Sequence, residues 1–97
     1  MIVERMTWKA KPGQENALVE AVKEAFAMHP APHGRRILTP NVGPYNEVVV
    51  EIEYDDISEN AAYWEEWFSK PEYPAFAEKW NKMVVSGGGS EIWNLVE

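Results

Sequence analysis

Residues 47–54 read EVVVEIEY, and they form the stretch that decides the fold class. Successive side chains of a strand point to opposite faces of a sheet. One face of this segment is wholly apolar or aromatic, with Val48, Val50, Ile52 and Tyr54. The other face mixes three glutamates with Val49. The pattern predicts a strand with one face on a core and a second face that suits water only in part.

Three further strands are predicted around this one. From Ile2 to Lys9 the chain alternates, with Ile2, Met6 and Trp8 on one face and Val3, Arg5 and Thr7 on the other. Residues 91–97, EIWNLVE, alternate in the same way. Residues 35–40, RRILTP, form a shorter candidate that ends in Pro40. Proline has no N–H to donate to a ladder, so this segment suits the edge of a sheet.

Helical spacing marks the segments between these strands. In residues 14–29 the stripe Leu18, Val22, Ala25 and Met28 predicts one core-facing side. In residues 59–70 the corresponding stripe is Ala61, Trp64 and Phe68, with Trp67 beside it. Asp55, Asp56 and Ser58 offer oxygen atoms for its N-cap.

Two prolines interrupt the second helix. Pro71 breaks it, and Pro74 suits the first turn of a new helical segment. That new segment carries Phe76, Trp80, Met83 and Val84 on one stripe. The glycine-rich residues 86–90, SGGGS, are predicted to be a flexible connector to the last strand.

The element order is therefore β-α-β-β-α-β, with the second helix split in two. Connection rules favour a four-stranded antiparallel sheet with the helices on one face, the ferredoxin-like α+β arrangement. We expect residues 1–97 to form a single domain of this class. Its uncovered face would carry Val49, Glu51 and Glu53. We expect a homodimer to cover that face as a dimeric α/β barrel, because so short a chain buries only a small core of its own.

Composition narrows the classes of partner. The formal net charge is −7, so long-range electrostatics would repel nucleic acid and anionic membranes, and neither is expected as a partner. Charged residues interrupt the apolar ones near the start, which fits neither a signal peptide nor a membrane span. The chain has no cysteine, which excludes thiolate catalysis and suits a cytoplasmic protein.

Several short motifs carry a family resemblance. KPG follows the first strand, VGPYN leads into residues 47–55, and SKPEYPAF spans the helix break. The residues that match are Gly43, Pro44, Asn46, Tyr54, Asp55, Pro71, Glu72 and Phe76. With these motifs the chain resembles the NIPSNAP-type branch of the dimeric α/β-barrel superfamily, which is related to antibiotic-biosynthesis monooxygenases. The motifs are structural, so the resemblance implies the fold and leaves the function unassigned.

The same superfamily includes heme-degrading enzymes, which use an Asn on the first strand, a Trp on the second helix and a His further on. Trp67 falls on the Trp position, but Met6 lies where the Asn is expected and Trp80 where the His is expected. Without that imidazole no axial ligand for heme iron is evident, so we expect no cofactor. A cofactor-independent monooxygenase acting on an aromatic or polycyclic substrate stays open.

The candidate site is a small apolar pocket between sheet and helices. We expect Met6, Trp8, Tyr54, Trp67 and Trp80 to line it. Three functions are then open: binding a small apolar ligand, oxidising an aromatic substrate, or a purely architectural role. Aromatic residues at helical spacing are more often core than binding surface, which favours the last of these.

Two groups of polar residues have an ordinary explanation and a functional one. His29 and His33 could bind a metal, but the sequence PAP prevents a helix between them and no carboxylate lies near them in sequence. We therefore predict solvated loop histidines and no metal site. Arg5, Glu51 and Glu53 fall on the uncovered sheet face, where they would either pair across a dimer interface or provide a carboxylate with a shifted pKa.

Overall fold

The sheet has four antiparallel strands in the order β2-β3-β1-β4. The computed structural model describes residues 1–85 and 88–97. The strands are β1 (Ile2–Lys9), β2 (Arg35–Leu38), β3 (Glu47–Tyr54) and β4 (Gly89–Asn94). The two longest strands, β1 and β3, pair in the centre, with Arg5 opposite Glu51. The predicted α+β ferredoxin-like fold is confirmed.

The described residues also form three helices, namely α1 (Glu15–Met28), α2 (Ile57–Ser69) and α3 (Tyr73–Asn81). Asp56 is the N-cap of α2, and its Oδ1 accepts a hydrogen bond of 2.9 Å from the backbone N–H of Glu59. Pro74 lies in the first turn of α3, where a missing N–H costs nothing. The predicted split of the second helix is therefore confirmed.

Three strand boundaries differ from prediction, since β2 ends at Leu38 rather than at Pro40 and β4 differs at both ends. β4 begins at Gly89 and ends at Asn94, whereas the sequence pattern starts at Glu91 and runs to the last residue. The earlier start arises because Gly89 and Ser90 pair with Thr7 and Met6 of β1. Ser86 and Gly87, the first two residues of the predicted connector, lie outside the described ranges.

The core lies between the sheet and the helices. Its sheet side consists of Met6, Val48, Val50, Ile52 and Tyr54, and its α1 side of Leu18, Ala21, Val22 and Phe26. The predicted α1 stripe is correct at Leu18 and Val22. It is wrong at Ala25 and Met28, which are only half-buried, while Ala21 and Phe26 are buried instead.

The predicted core stripe of α2 is wrong at Ala61 and Phe68, which are exposed, and right in part at Trp64, which is half-buried and packs against the core. The structure buries Asn60, Tyr63 and Trp67, whereas Phe68 is 54% exposed. The two stripes have the same spacing and differ by one residue, which rotates the helix by about 100°. Because Asn60 is polar, the spacing of apolar residues did not identify the buried stripe of Asn60, Tyr63 and Trp67.

The outer face of the sheet carries a small charge network. Glu51 lies 3.4 Å from the Arg5 guanidinium and 2.7 Å from that of Arg36 within the same chain. Trp93 of β4 is on this face and is 58% exposed, whereas Trp8 faces the helices. Trp8 and Trp93 therefore lie on opposite faces of the sheet.

Candidate functional site

A cavity of about 700 Å³ opens between the helix-facing side of the sheet and all three helices. Met6 and Trp8 contribute to its wall from β1, and Val50 and Ile52 from β3. Its volume falls within the range of about 300–1,000 Å³ that is usual for small-molecule sites. A space of this size can hold a ligand of one or two rings.

Aromatic rings form most of the helical wall. Trp8 meets Trp80 edge to face with ring centroids 5.1 Å apart, and Trp80 stacks on Phe76 at 5.7 Å. Phe76 in turn meets Trp67 edge to face at 5.2 Å. These distances lie within the favourable range of about 4.5–7 Å for aromatic pairs. The rings thus support one another while keeping one side toward the cavity.

Four of the five predicted lining residues contribute to this cavity, namely Met6, Trp8, Trp67 and Trp80. Tyr54 does not, and this part of the prediction is corrected. Its side chain is fully buried, beyond the cavity wall. The Tyr54 hydroxyl instead donates a hydrogen bond of 2.9 Å to Glu4.

Glu4 is the functional candidate that the sequence analysis missed. It lies on the helix-facing side of β1 between Ile2 and Met6, lines the cavity, and is only 7% exposed. One carboxylate oxygen, Oε1, accepts hydrogen bonds of 2.9 Å from the Tyr54 hydroxyl and from Trp64 Nε1. Burial, together with the adjacent Glu4 carboxylate, raises the pKa of Tyr54 far above its ordinary value. Tyr54 therefore stays protonated and remains a donor to Glu4.

The second oxygen of Glu4 has a different environment. Among the described residues, Oε2 has no hydrogen-bond partner, yet it is not sealed from solvent as a fully buried polar atom would be. Glu4 lines the cavity, and Oε2 is the oxygen that its hydrogen bonds to Tyr54 and Trp64 leave unused. The feature of the sequence that could have identified Glu4 is its charge, since it is a glutamate at an inward position of an otherwise apolar strand face.

His29 is also placed differently from the prediction, since it is a buried residue rather than a solvated one. Its Nε2–H donates to the Tyr63 carbonyl at 2.8 Å, and the Tyr63 hydroxyl donates to the His29 carbonyl at 2.9 Å. The His29 ring stacks on Trp67 with centroids 5.8 Å apart. Burial, followed by the charge of Glu4, raises the pKa of Tyr63 to about 12. This reciprocal pair joins the end of α1 to α2 at one side of the cavity.

His33 lies outside the cavity, at the N-terminal end of α2. Its Nε2 is 3.3 Å from Asp55 Oδ1 and 3.0 Å from Glu59 Oε1. The fold thus brings two carboxylates to a histidine that has none nearby in sequence, and the three could offer ligand atoms to a metal ion. Glu59 Oε1 already accepts a hydrogen bond from the Asp55 N–H, and all three side chains are at least partly exposed. The arrangement fits a polar contact that ties the loop before β2 to the N-terminal end of α2.

Fold and cavity together define a ferredoxin-like α+β protein with an aromatic site between its sheet and its helices. The chain belongs to the NIPSNAP family, whose family model matches residues 3–96. No curated protein sequence matches the chain. Among the described residues, no helix combines the length and the apolar character that a membrane span needs.

Solved structures show the same fold at low sequence identity. An uncharacterized NIPSNAP domain protein from Burkholderia xenovorans is 21% identical with a TM-score of 0.79, and the match covers 99% of this chain and 95% of that one. A NIPSNAP family protein of unknown function from Agrobacterium tumefaciens is 18% identical with a TM-score of 0.78, covering 95% and 85%. An antibiotic biosynthesis monooxygenase is 13% identical with a TM-score of 0.72, covering 100% of both chains. The related fold that the motifs implied is confirmed.

Proposed function

We propose that the protein binds a small aromatic or apolar molecule in the cavity between its sheet and its helices. The observation that carries this proposal is the cavity of about 700 Å³, walled mainly by aromatic and aliphatic side chains. Aromatic surface beside open space lacks the dispersion contacts that a close-packed core would supply. A planar ligand would restore those contacts and remove apolar surface from water.

Two variants, each replacing one alanine of α3 by phenylalanine, test the proposal. Ala77 lines the cavity, whereas Ala75 is exposed and lies outside the lining. We expect neutral 2-phenylethanol to cause a saturable change in tryptophan fluorescence in the wild-type protein and in Ala75→Phe. We expect Ala77→Phe to lower its affinity at least tenfold, because the added ring occupies the cavity. Equal binding by both variants would overturn the proposal, because the ligand would then bind outside the cavity. A flat response of all three proteins both to this alcohol and to 2-phenylethylamine would overturn it as well.

A second candidate is a cofactor-independent monooxygenase-like enzyme that acts on an aromatic or polycyclic phenol. The observation that favours it is the Glu4 carboxylate, which could accept the phenolic proton inside the cavity. The phenol would supply all the reducing electrons: one atom of O₂ becomes a quinone carbonyl, and the other leaves as water. Oxygen uptake with a naphthol that is lost in Glu4→Gln would support this activity, and no uptake above a protein-free control would reject it.

We also propose that two copies pair through the outer face of the sheet to form a dimeric α/β barrel in the cytoplasm. Leu38 and Trp93 expose 40% and 58% of their surface on this face, and the Arg5–Glu51–Arg36 network lies between them. Apolar groups around a central charge network are suited to an interface of defined register. Light scattering at micromolar concentration should give twice the monomer mass, and a stable monomer would reject the pairing.

A further inference from the structure

We propose that the cavity selects an organic cation, an amine that carries an aromatic or apolar group, and that Glu4 Oε2 pairs with its ammonium. This inference rests on the proposed ligand-binding function and specifies the ligand class. It follows from the charges of the cavity wall, the free oxygen of Glu4 and the aromatic rings around it.

The charges of the wall are unbalanced. Among the described residues, the lining includes one carboxylate, Glu4, and no lysine or arginine. No ion pair of the described residues includes Glu4. A buried carboxylate is costly unless it is paired, and the neutral donors Tyr54 and Trp64 offset only part of that cost. A cationic ligand would supply the charge that the wall lacks.

The geometry of Glu4 leaves a defined place for that cation. Both protein hydrogen bonds go to Oε1, and their donors are carried by rigid aromatic side chains. The carboxylate is therefore oriented before a ligand arrives, and Oε2 remains for the ligand. An ammonium N–H to a carboxylate forms a charge-assisted hydrogen bond, which is stronger than a bond between neutral groups.

The aromatic wall would stabilise the same ligand in a second way. Trp8, Trp64, Trp67 and Trp80 all line the cavity, and tryptophan is the best aromatic partner for a cation within about 6 Å. An anionic ligand would be repelled by Glu4. The guanidinium of Arg35 lies over the Phe26 ring, 4.5 Å from its centroid, but Arg35 is not part of the lining. A purely apolar ligand would leave Oε2 without a partner. The net charge of −7 also favours the approach of cations over anions.

Two probes of nearly equal shape separate charge from apolar burial. At neutral pH 2-phenylethylamine is an ammonium ion, whereas 2-phenylethanol is neutral but still offers a hydrogen-bond donor. Affinities are measured by tryptophan fluorescence and by calorimetry. We expect the wild-type protein to bind the ammonium at least tenfold more tightly than the alcohol.

The Glu4→Gln variant then tests the role of Glu4. Glutamine keeps the shape and an oxygen acceptor for Tyr54 and Trp64 but removes the charge. We expect it to lower the affinity for the ammonium at least tenfold and that for the alcohol less than threefold. The matched control is Glu66→Gln, which removes one charge from the exposed side of α2, outside the lining, and should leave both affinities within twofold of wild type.

The outcomes distinguish this inference from the proposed function. Equal affinities of the wild-type protein for ammonium and alcohol would overturn the cation preference but would leave the proposed binding of aromatic ligands intact. The same follows if Glu4→Gln and Glu66→Gln weaken ammonium binding alike, because the effect would then belong to the overall charge. Binding of neither probe to the wild-type protein would overturn both proposals. The comparison of the two probes on the wild-type protein does not depend on the folding of any variant.

Discussion

Replacing Trp67 by alanine is expected to lower the free energy of unfolding by about 3–5 kcal/mol, the usual cost of removing a large buried aromatic side chain. Trp67 is 5% exposed. Its ring stacks on His29 and meets Tyr73 and Phe76 edge to face at 5.5 and 5.2 Å. Removing the Trp67 ring would leave a gap between α2, the end of α1 and α3. Domains have about 5–15 kcal/mol of stability in total, so this loss is measurable by urea denaturation and would bring the protein close to unfolding.

Phe68, the next residue on α2, provides the control for this prediction. It also lines the cavity and packs on Trp64 and Tyr73, but it is 54% exposed. Its replacement by alanine should cost less than half as much as that of Trp67, because most of the ring stays in contact with water. Similar losses in the two variants would show that burial at Trp67 does not contribute as the structure indicates.

The strands could be predicted because period-two alternation is a local property. The bounds predicted for residues 2–9 and 47–54 match β1 and β3. The break at Pro71 and the restart near Pro74 were also predictable, since proline acts through its own geometry. The start of β4 was not, because Gly89 belongs to a strand only through its pairing with Thr7.

The orientation of α2 depends on distant residues, and the sequence could not supply it. Two stripes of α2 have equal spacing and similar aromatic content. The structure selects the one with Tyr63, whose hydroxyl reaches the carbonyl of His29, a residue 34 positions away. His29 is buried against the same side of α2, where it exchanges two hydrogen bonds with Tyr63 and stacks on Trp67, so both errors concern contacts between residues far apart in the sequence.

The candidate site was predictable in its aromatic part and not in its polar part. Trp8, Trp67 and Trp80, which line the cavity, could be placed there because aromatic side chains bury a large area and most often pack at a core. Glu4 was missed because an isolated carboxylate at an inward position looks like an exception to the apolar pattern. Its partners, Tyr54 and Trp64, are 50 and 60 residues away, and no local pattern connects them.

Alkaline pH is expected to destabilise the protein through its buried tyrosines. The pKa of Tyr63 rises from 10.0 to about 12, because of burial and then the Glu4 charge. Below pH 10 both the folded and the unfolded chain keep the proton, and the full stabilisation is present. Between pH 10 and about 12 the unfolded chain loses the proton while folded Tyr63 keeps it, so stability falls as pH rises. The loss is about 3 kcal/mol for Tyr63, since each pKa unit corresponds to about 1.4 kcal/mol.

Tyr54 acts in the same direction, because burial and Glu4 raise its pKa as well, so the total loss should exceed that of Tyr63 alone. Urea denaturation across this pH interval measures the loss, and Tyr63→Phe should make the dependence on pH less steep. That variant also loses the hydrogen bond to His29, a cost that does not vary with pH, so the slopes are compared rather than the absolute stabilities. The control is Tyr45→Phe, at a position that is 88% exposed, and it should keep the wild-type slope. Equal slopes in wild type and Tyr63→Phe would mean that Tyr63 ionises alike in the folded and unfolded chain, and that its ring is not sealed beside Glu4.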